Sequence, residues 1–172
     1  IYATHLKYGR WSSVEHLLMW FPSNIFYLVM PLMYDLSVSG ALRALTNVEM
    51  PVYLTLTAIG SVILPSFVRT YNNHGYDALM RRVKNLRMMM LGITGAAAIV
   101  FIVGGQWIIN LLYDGKYDSY TTFPILASMA AHLALFGFTA PLDLSLRSQG
   151  LIRHNFMARL LPNILTVTVG MY

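Results

Sequence analysis

The chain contains no cysteine, so it has no disulfide framework and no thiolate metal site, and its redox compartment stays open. Charge is scarce too: 11% of the 172 residues are Asp, Glu, Lys or Arg, against about 25% in soluble domains. Hydrophobic residues make up 56%, and the mean hydropathy is +0.55. So little charge cannot cover a soluble surface, and a membrane protein is expected. There is no phosphate loop, no paired His-Glu metal motif and no nucleophile elbow. The five histidines, at 5, 16, 74, 132 and 154, have no ligand spacing on one helix face. Neither an enzyme, a metal nor a cofactor is expected. No basic-then-apolar signal opens the chain. It begins at Ile1 and stops inside the apolar run "LLPNILTVTVGMY", so a piece of a larger membrane protein is expected.

What the chain does hold is long apolar runs. A helix needs about 20 predominantly apolar residues to cross the hydrocarbon core. Four stretches reach or approach that length, at about 17–34, 50–68, 88–113 and 120–142, and a fifth runs over 160–172. Barrel strands of about ten residues with alternating polarity are not seen. The expectation is an all-α, polytopic transmembrane bundle of about five segments.

The loops test this independently. Lys7 and Arg10 precede the first segment. Arg69, Arg81, Arg82, Lys84 and Arg87 lie between the second and third, and Arg147, Arg153 and Arg159 between the fourth and fifth. If each segment crosses once, these ten of the twelve Lys and Arg share one side, which the positive-inside rule makes cytoplasmic. Arg43 and Lys116 lie opposite, with Asp35, Glu49, Asp114 and Asp118. The net charge of +5 therefore reads as membrane topology, and no nucleic-acid partner is expected. "YDGKYDSY" is expected to be a tight outer turn, with Asp114-Gly115 as its turn signal.

In "RTYNNHGYDALMRRVKNLRMMM", Leu79, Met80, Val83, Leu86 and Met90 recur at helical spacing while Arg81, Arg82, Lys84 and Arg87 largely face away. This predicts a basic amphipathic helix over about 76–88, lying in the cytoplasmic membrane surface against anionic membrane lipids.

Polar residues within spans usually face a bundle interior or an aqueous cavity. Asn24 and Tyr27 lie mid-segment between Pro22 and Pro31, which are expected to bend the first span. In "ALRALTNVEMPVY", Arg43, Asn47 and Glu49 cluster at the outer mouth of the second segment. If that run is helical before Pro51, Arg43 and Asn47 share a face. His132 sits mid-span in the fourth segment, where it either bonds a neighbouring helix or relays protons. Asn24, Tyr27, Arg43, Asn47, Glu49 and His132 are the candidate cavity residues. Gln106 and Asn110 are expected to bond between helices, and Gly92 with Ala96 to allow close packing.

The order of parts, with "SGALRALTNVEMPVYLTLTAIGSVILPSFVR", "LLYDGKYDS" and "ILASMAAHLALFGFTAPLDLSLRSQG", resembles the Wzx-type oligosaccharide and polysaccharide flippases. These belong to the superfamily of the multidrug MATE exporters and lipid II flippases. The resemblance implies two six-helix lobes rocking about a central cavity by alternating access. The fragment would be part of one six-helix lobe, and the rest of the chain would form the second. The implied cargo is a lipid-linked oligosaccharide on polyprenyl pyrophosphate, and the implied place is the bacterial inner membrane. One departure weighs against a lipid II flippase: Thr46 stands five residues before the second-span proline, where those proteins tend to carry Arg. The alternatives are a MATE-like cation-coupled exporter and a non-transporting component of polysaccharide assembly. The lack of an acidic residue deep in the four complete spans argues against the exporter. Arg43 is expected to hold the pyrophosphate head group at the outer mouth.

Overall fold

The computed structural model describes residues 13, 14, 17, 20, 24, 25, 27–151, 154–157 and 160. These are almost all helical, and no strand occurs among them. Residues 27–33 close a helical segment that ends at Tyr34. Asp35 then starts the next helix, its carboxylate accepting the Leu36 N–H at 2.6 Å and the Ser37 hydroxyl at 3.1 Å. Helix α1 spans Leu36–Tyr113, a 3-10 turn spans Asp118–Tyr120, and helix α2 spans Phe123–Ser148.

Helix α1 has 78 residues, and a straight helix of that length would run about 117 Å. It breaks instead at Gly75, whose φ of 75° and ψ of −171° are non-helical. The chain turns back there, giving two arms, 36–74 and 76–113. Arg82 on the second arm donates to Ser66 Oγ on the first at 2.7 Å. Leu56 and Phe67 pack with Leu79, Val83, Leu86 and Met90 in one buried cluster. A second cluster of Leu45, Ile109 and Leu126 joins both arms to α2 towards the other end.

Helix α2 lies parallel to the first arm in a constant register. Ser37 meets Tyr120 of the adjoining turn and Glu49 meets His132, each 83 residues apart, and the Tyr53 and Phe136 rings meet at 4.7 Å between centroids, tilted by 41°. Against the second arm it runs antiparallel, with two glycines at the closest approaches. A Cβ on Gly137 would lie 2.6 Å from Thr94 Oγ1, and one on Gly105 would lie 2.9 Å from Leu126 Cδ2. Gly92 has nothing within 4 Å, so the expected close packing at Gly92 and Ala96 is corrected to Gly105 and Gly137.

Two helices among the described residues are long and apolar enough to cross a membrane, not five. The second and third expected segments fall in the two arms of α1, and the fourth falls in α2. The first is described only in part, and Pro22 and most of the fifth lie outside the described residues. The predicted surface helix over 76–88 also needs correction. It continues without a break into the second arm, and its apolar stripe of Leu79, Val83, Leu86 and Met90 is buried against protein. The run before Pro51 that holds Arg43, Asn47 and Glu49 is helical, and the helix runs on through Pro51 and Pro65.

The tight turn expected at Asp114-Gly115 is present. Asp114 is left-handed at φ 52°, and its N–H bonds to the Asn110 carbonyl; Gly115 has φ 71°. Gln106 and Asn110, however, do not bridge helices. Both donate to Asp118 Oδ1, at 2.8 and 3.1 Å, and tie the turn back onto the arm it leaves.

Two predictions follow from the turns. Gly75 occupies backbone space that is almost closed to other residues, so Gly75→Ala should destabilise the fold by about 1–3 kcal/mol. Denaturant unfolding of Gly75→Ala beside Gly92→Ala, whose site is helical and open, checks this, since only the first should lose stability. Hydrogen bonds from Gln106 and then Asn110 hold the Asp118 carboxyl below its ordinary range. Its contribution is therefore complete above the ordinary carboxylate range and is lost as the pH falls through the lowered folded value. Melting curves of the parent and Asp118→Asn should differ at neutral pH and converge in acid.

Candidate substrate cavity

The helix faces that meet in this bundle leave an open cavity of about 1130 Å³. Tyr53, Leu56, Thr57, Gly60, Ser61 and Leu64 line it from the first arm, at the spacing of one helix face. Phe136, Ala140, Asp143, Leu144 and Arg147 line it from α2, and Trp20 and Asn24 from the N-terminal residues. Gly60 lets the walls approach, since a Cβ there would lie 3.3 Å from Leu144 Cδ1. The tilted Tyr53 and Phe136 rings line one end. Asp143 and Arg147, one turn apart on α2, carry the charge at the other. The lining is thus aromatic at one end, mixes aliphatic side chains with the hydroxyls of Thr57 and Ser61 along its length, and is ionic at the far end.

The six candidate residues do not converge on this space. Asn24 lines the cavity, and its amide donates to the Trp20 carbonyl at 2.8 Å. Tyr27 and Arg43 pack on each other outside it, with the guanidinium 5.6 Å from the ring centroid. The Tyr27 hydroxyl bonds Thr46 Oγ1 at 2.9 Å. Thr46 already donates its one hydroxyl hydrogen to the Leu42 carbonyl, so Tyr27 is the donor. Asn47 donates to the Tyr113 hydroxyl at 3.3 Å, bonding the two arms. Arg43 and Asn47 are one turn apart on a helix, as the condition on that run required, but the face they share is exposed and away from the cavity.

Glu49 and His132 are brought together although 83 residues separate them. Glu49 Oε1 lies 2.8 Å from His132 Nδ1, with the Glu side chain 13% exposed and the His side chain 64% exposed. Of the two readings of His132, the geometry supplies the interhelical bond. Glu49 is one turn above Tyr53, and His132 one turn above Phe136, so the pair caps the aromatic end of the cavity. Glu49 lies inside α1, 13 residues after its start at Leu36.

Asp143 and Arg147 were missed because the fourth segment was ended at Leu142, which left both residues to a loop. The signal was present in "DLSLR", an acid and a base at helical spacing. Among the described residues no group of three His, Asp or Glu side chains could hold a metal ion.

The Glu49–His132 bond should stabilise the bundle by about 0.6 kcal/mol, the average for polar pairs between membrane helices. A double-mutant cycle with Glu49→Gln and His132→Gln, read by unfolding in detergent, measures it. Additive effects would leave both as independent surface groups.

No family model matches the chain, and no curated protein and no solved structure matches it.

Proposed function

We propose that this chain is part of one lobe of a multi-pass inner-membrane transporter. In this reading it moves a lipid-linked oligosaccharide, carried on polyprenyl pyrophosphate, by alternating access. The observation that carries the reading is the cavity, which is long, largely apolar and, among the described residues, charged at one end. A polyprenyl pyrophosphate has the same division, an apolar chain ending in a compact anion.

Two further features support a membrane setting. Ile99, Val103, Trp107 and Leu111 form an i, i+4 stripe on the second arm and are 64–82% exposed. A soluble monomer rarely shows an apolar surface of that kind. The balance of charge also differs by end of the bundle. Arg69, Arg81, Arg82, Lys84, Arg87 and Arg147 lie towards the Gly75 turn with Asp77 and Asp143, and Asp35, Glu49, Asp114 and Asp118 towards the other with Arg43 and Lys116. On the positive-inside rule the Gly75 end is cytoplasmic.

The head-group role expected of Arg43 passes to Arg147, because Arg43 lies outside the cavity and against Tyr27. Arg147 is the basic residue in the cavity lining, and a guanidinium meets phosphate oxygens through two parallel N–H bonds. One observation favours the second reading, a cation-coupled exporter of the MATE kind: Glu49 is a largely shielded carboxylate within a helix. In such a protein Glu49→Gln would abolish drug efflux.

Arg147→Gln in the intact protein should lower surface polysaccharide about tenfold or more, from the loss of a charge-assisted bond, with the membrane protein level unchanged. Arg43→Ala should leave it near normal. The opposite pattern would return the head-group site to the outer mouth. Cysteine placed at 116 should be labelled from outside and cysteine at 84 should not; the reverse would overturn the topology.

A further inference from the structure

The end of the bundle near Gly75 holds a second concavity that the cargo cavity does not use. It is a groove of about 310 Å³ between the two arms of α1. Ser66 and Arg82 sit at its end nearest the turn, joined by the 2.7 Å bond from guanidinium to hydroxyl. That bond holds the guanidinium over the groove and leaves most of its five donors for another acceptor. Asn85 follows one turn further from Gly75 and Met89 one turn beyond it, with Ile63 on the first arm; Phe67, next to Ser66, and Leu86, next to Asn85, are the buried residues of the lining. Along the second arm the exposed lining therefore passes from cation at Arg82 to amide at Asn85 to the apolar side chain of Met89. The surrounding segment is basic: between 69 and 87 stand Arg69, Arg81, Arg82, Lys84 and Arg87 against a single acid, Asp77.

We infer that this groove binds one anionic phospholipid, its phosphate on Arg82 and Asn85 and the start of an acyl chain along Ile63 and Met89. A free phosphate would use only the first half of the site, and an uncharged lipid only the second. The order of the two halves also matches a lipid entering from the bilayer, with its head at the basic end and its tail running towards the middle of the arms. The apolar stripe of residues 79–90 is buried against protein, so it is not what meets the membrane there. The basic residues act through a defined groove instead of a surface-lying helix. The inference rests on the membrane reading above but not on the nature of the cargo.

The test titrates the intact protein, purified in neutral detergent, with phosphatidylglycerol, phosphatidylcholine or inorganic phosphate, and reads the unfolding temperature. Phosphatidylglycerol should raise it at concentrations where the other two do not. Arg82→Gln should weaken that response by about fivefold, the scale of one basic residue against an anionic lipid. Met89→Gln should weaken it through the tail, whereas Arg81→Gln, on the exposed face, should change it little. Equal losses for Arg81→Gln and Arg82→Gln would show diffuse charge and overturn the site, as would an equal response to phosphatidylcholine. A full response to phosphate alone would show an adventitious ion only. Asn85→Ala replaces Arg82→Gln if that variant does not fold. Retention of each variant in carbonate-washed membranes, measured in parallel, separates failure of the groove from failure of the membrane reading.

Discussion

The parallel alignment of residues 36–74 with Phe123–Ser148 is the constraint on which the bundle depends. Three pairs fix it at a spacing of 83 residues: Ser37 with Tyr120, Glu49 with His132, and Tyr53 with Phe136. Neighbouring parallel helices need a return crossing between them, and the arm 76–113 supplies it. A slip of one residue would turn each side chain by about 100°, so all three pairs would break together. The cavity is defined by the same faces one to three turns further along, and it inherits their precision. Gly75 sets where the crossing begins and therefore which residues face one another.

A bundle with so little charge still holds many hydroxyls, and most are satisfied within their own helix. Thr46, Thr55, Thr70, Thr94 and Thr139 each donate to the carbonyl four residues back, and Ser61, Ser128 and Ser148 to the one three back. Such bonds need neither water nor a partner helix. They let a helix carry small polar groups through a low-dielectric setting without leaving a donor unpaired. The bonds that join helices are few by comparison. Asn47 to Tyr113 and Glu49 to His132 are two of them, and both lie on the half of the bundle away from the basic turn.

Much of this was legible in the sequence because it is local. The apolar runs, the Asp114-Gly115 turn and the period of residues 79–90 each depend on neighbours within two turns. Helix continuity was harder to read. Hydropathy starts the second segment near Met50, yet the helix begins at Leu36 and passes through Pro51. Ending the fourth segment at Leu142 followed hydropathy, which falls at Asp143, although the backbone continues to Ser148. The pairing of Glu49 with His132 had no local signal at all. Two residues 83 apart are joined only by the fold, and neither one's flanks name the other. The partner of Arg43 had no local signal either: the ring its guanidinium meets, Tyr27, lies on the preceding helical segment.

The reading of residues 76–90 shows what periodicity alone leaves undecided. An amphipathic stripe states that one face is apolar, not whether lipid or protein covers it. Exposure along the second arm resolves this within one continuous helix. From Arg81 to Arg87 the outward residues are largely basic or polar and the buried ones apolar, as on a water-facing helix. From Ile99 to Leu111 the outward residues apart from Gln106 are themselves apolar, and small Gly105 lies inward against Leu126. If the arm crosses a bilayer, the hydrocarbon edge falls between those stretches, where Met88 and Met89 are the first large apolar side chains to stand exposed. The groove at Arg82 then lies at the level of phosphate and Met89 at the start of the acyl region, so one boundary on one helix orders both the exposed surface and the groove beside it.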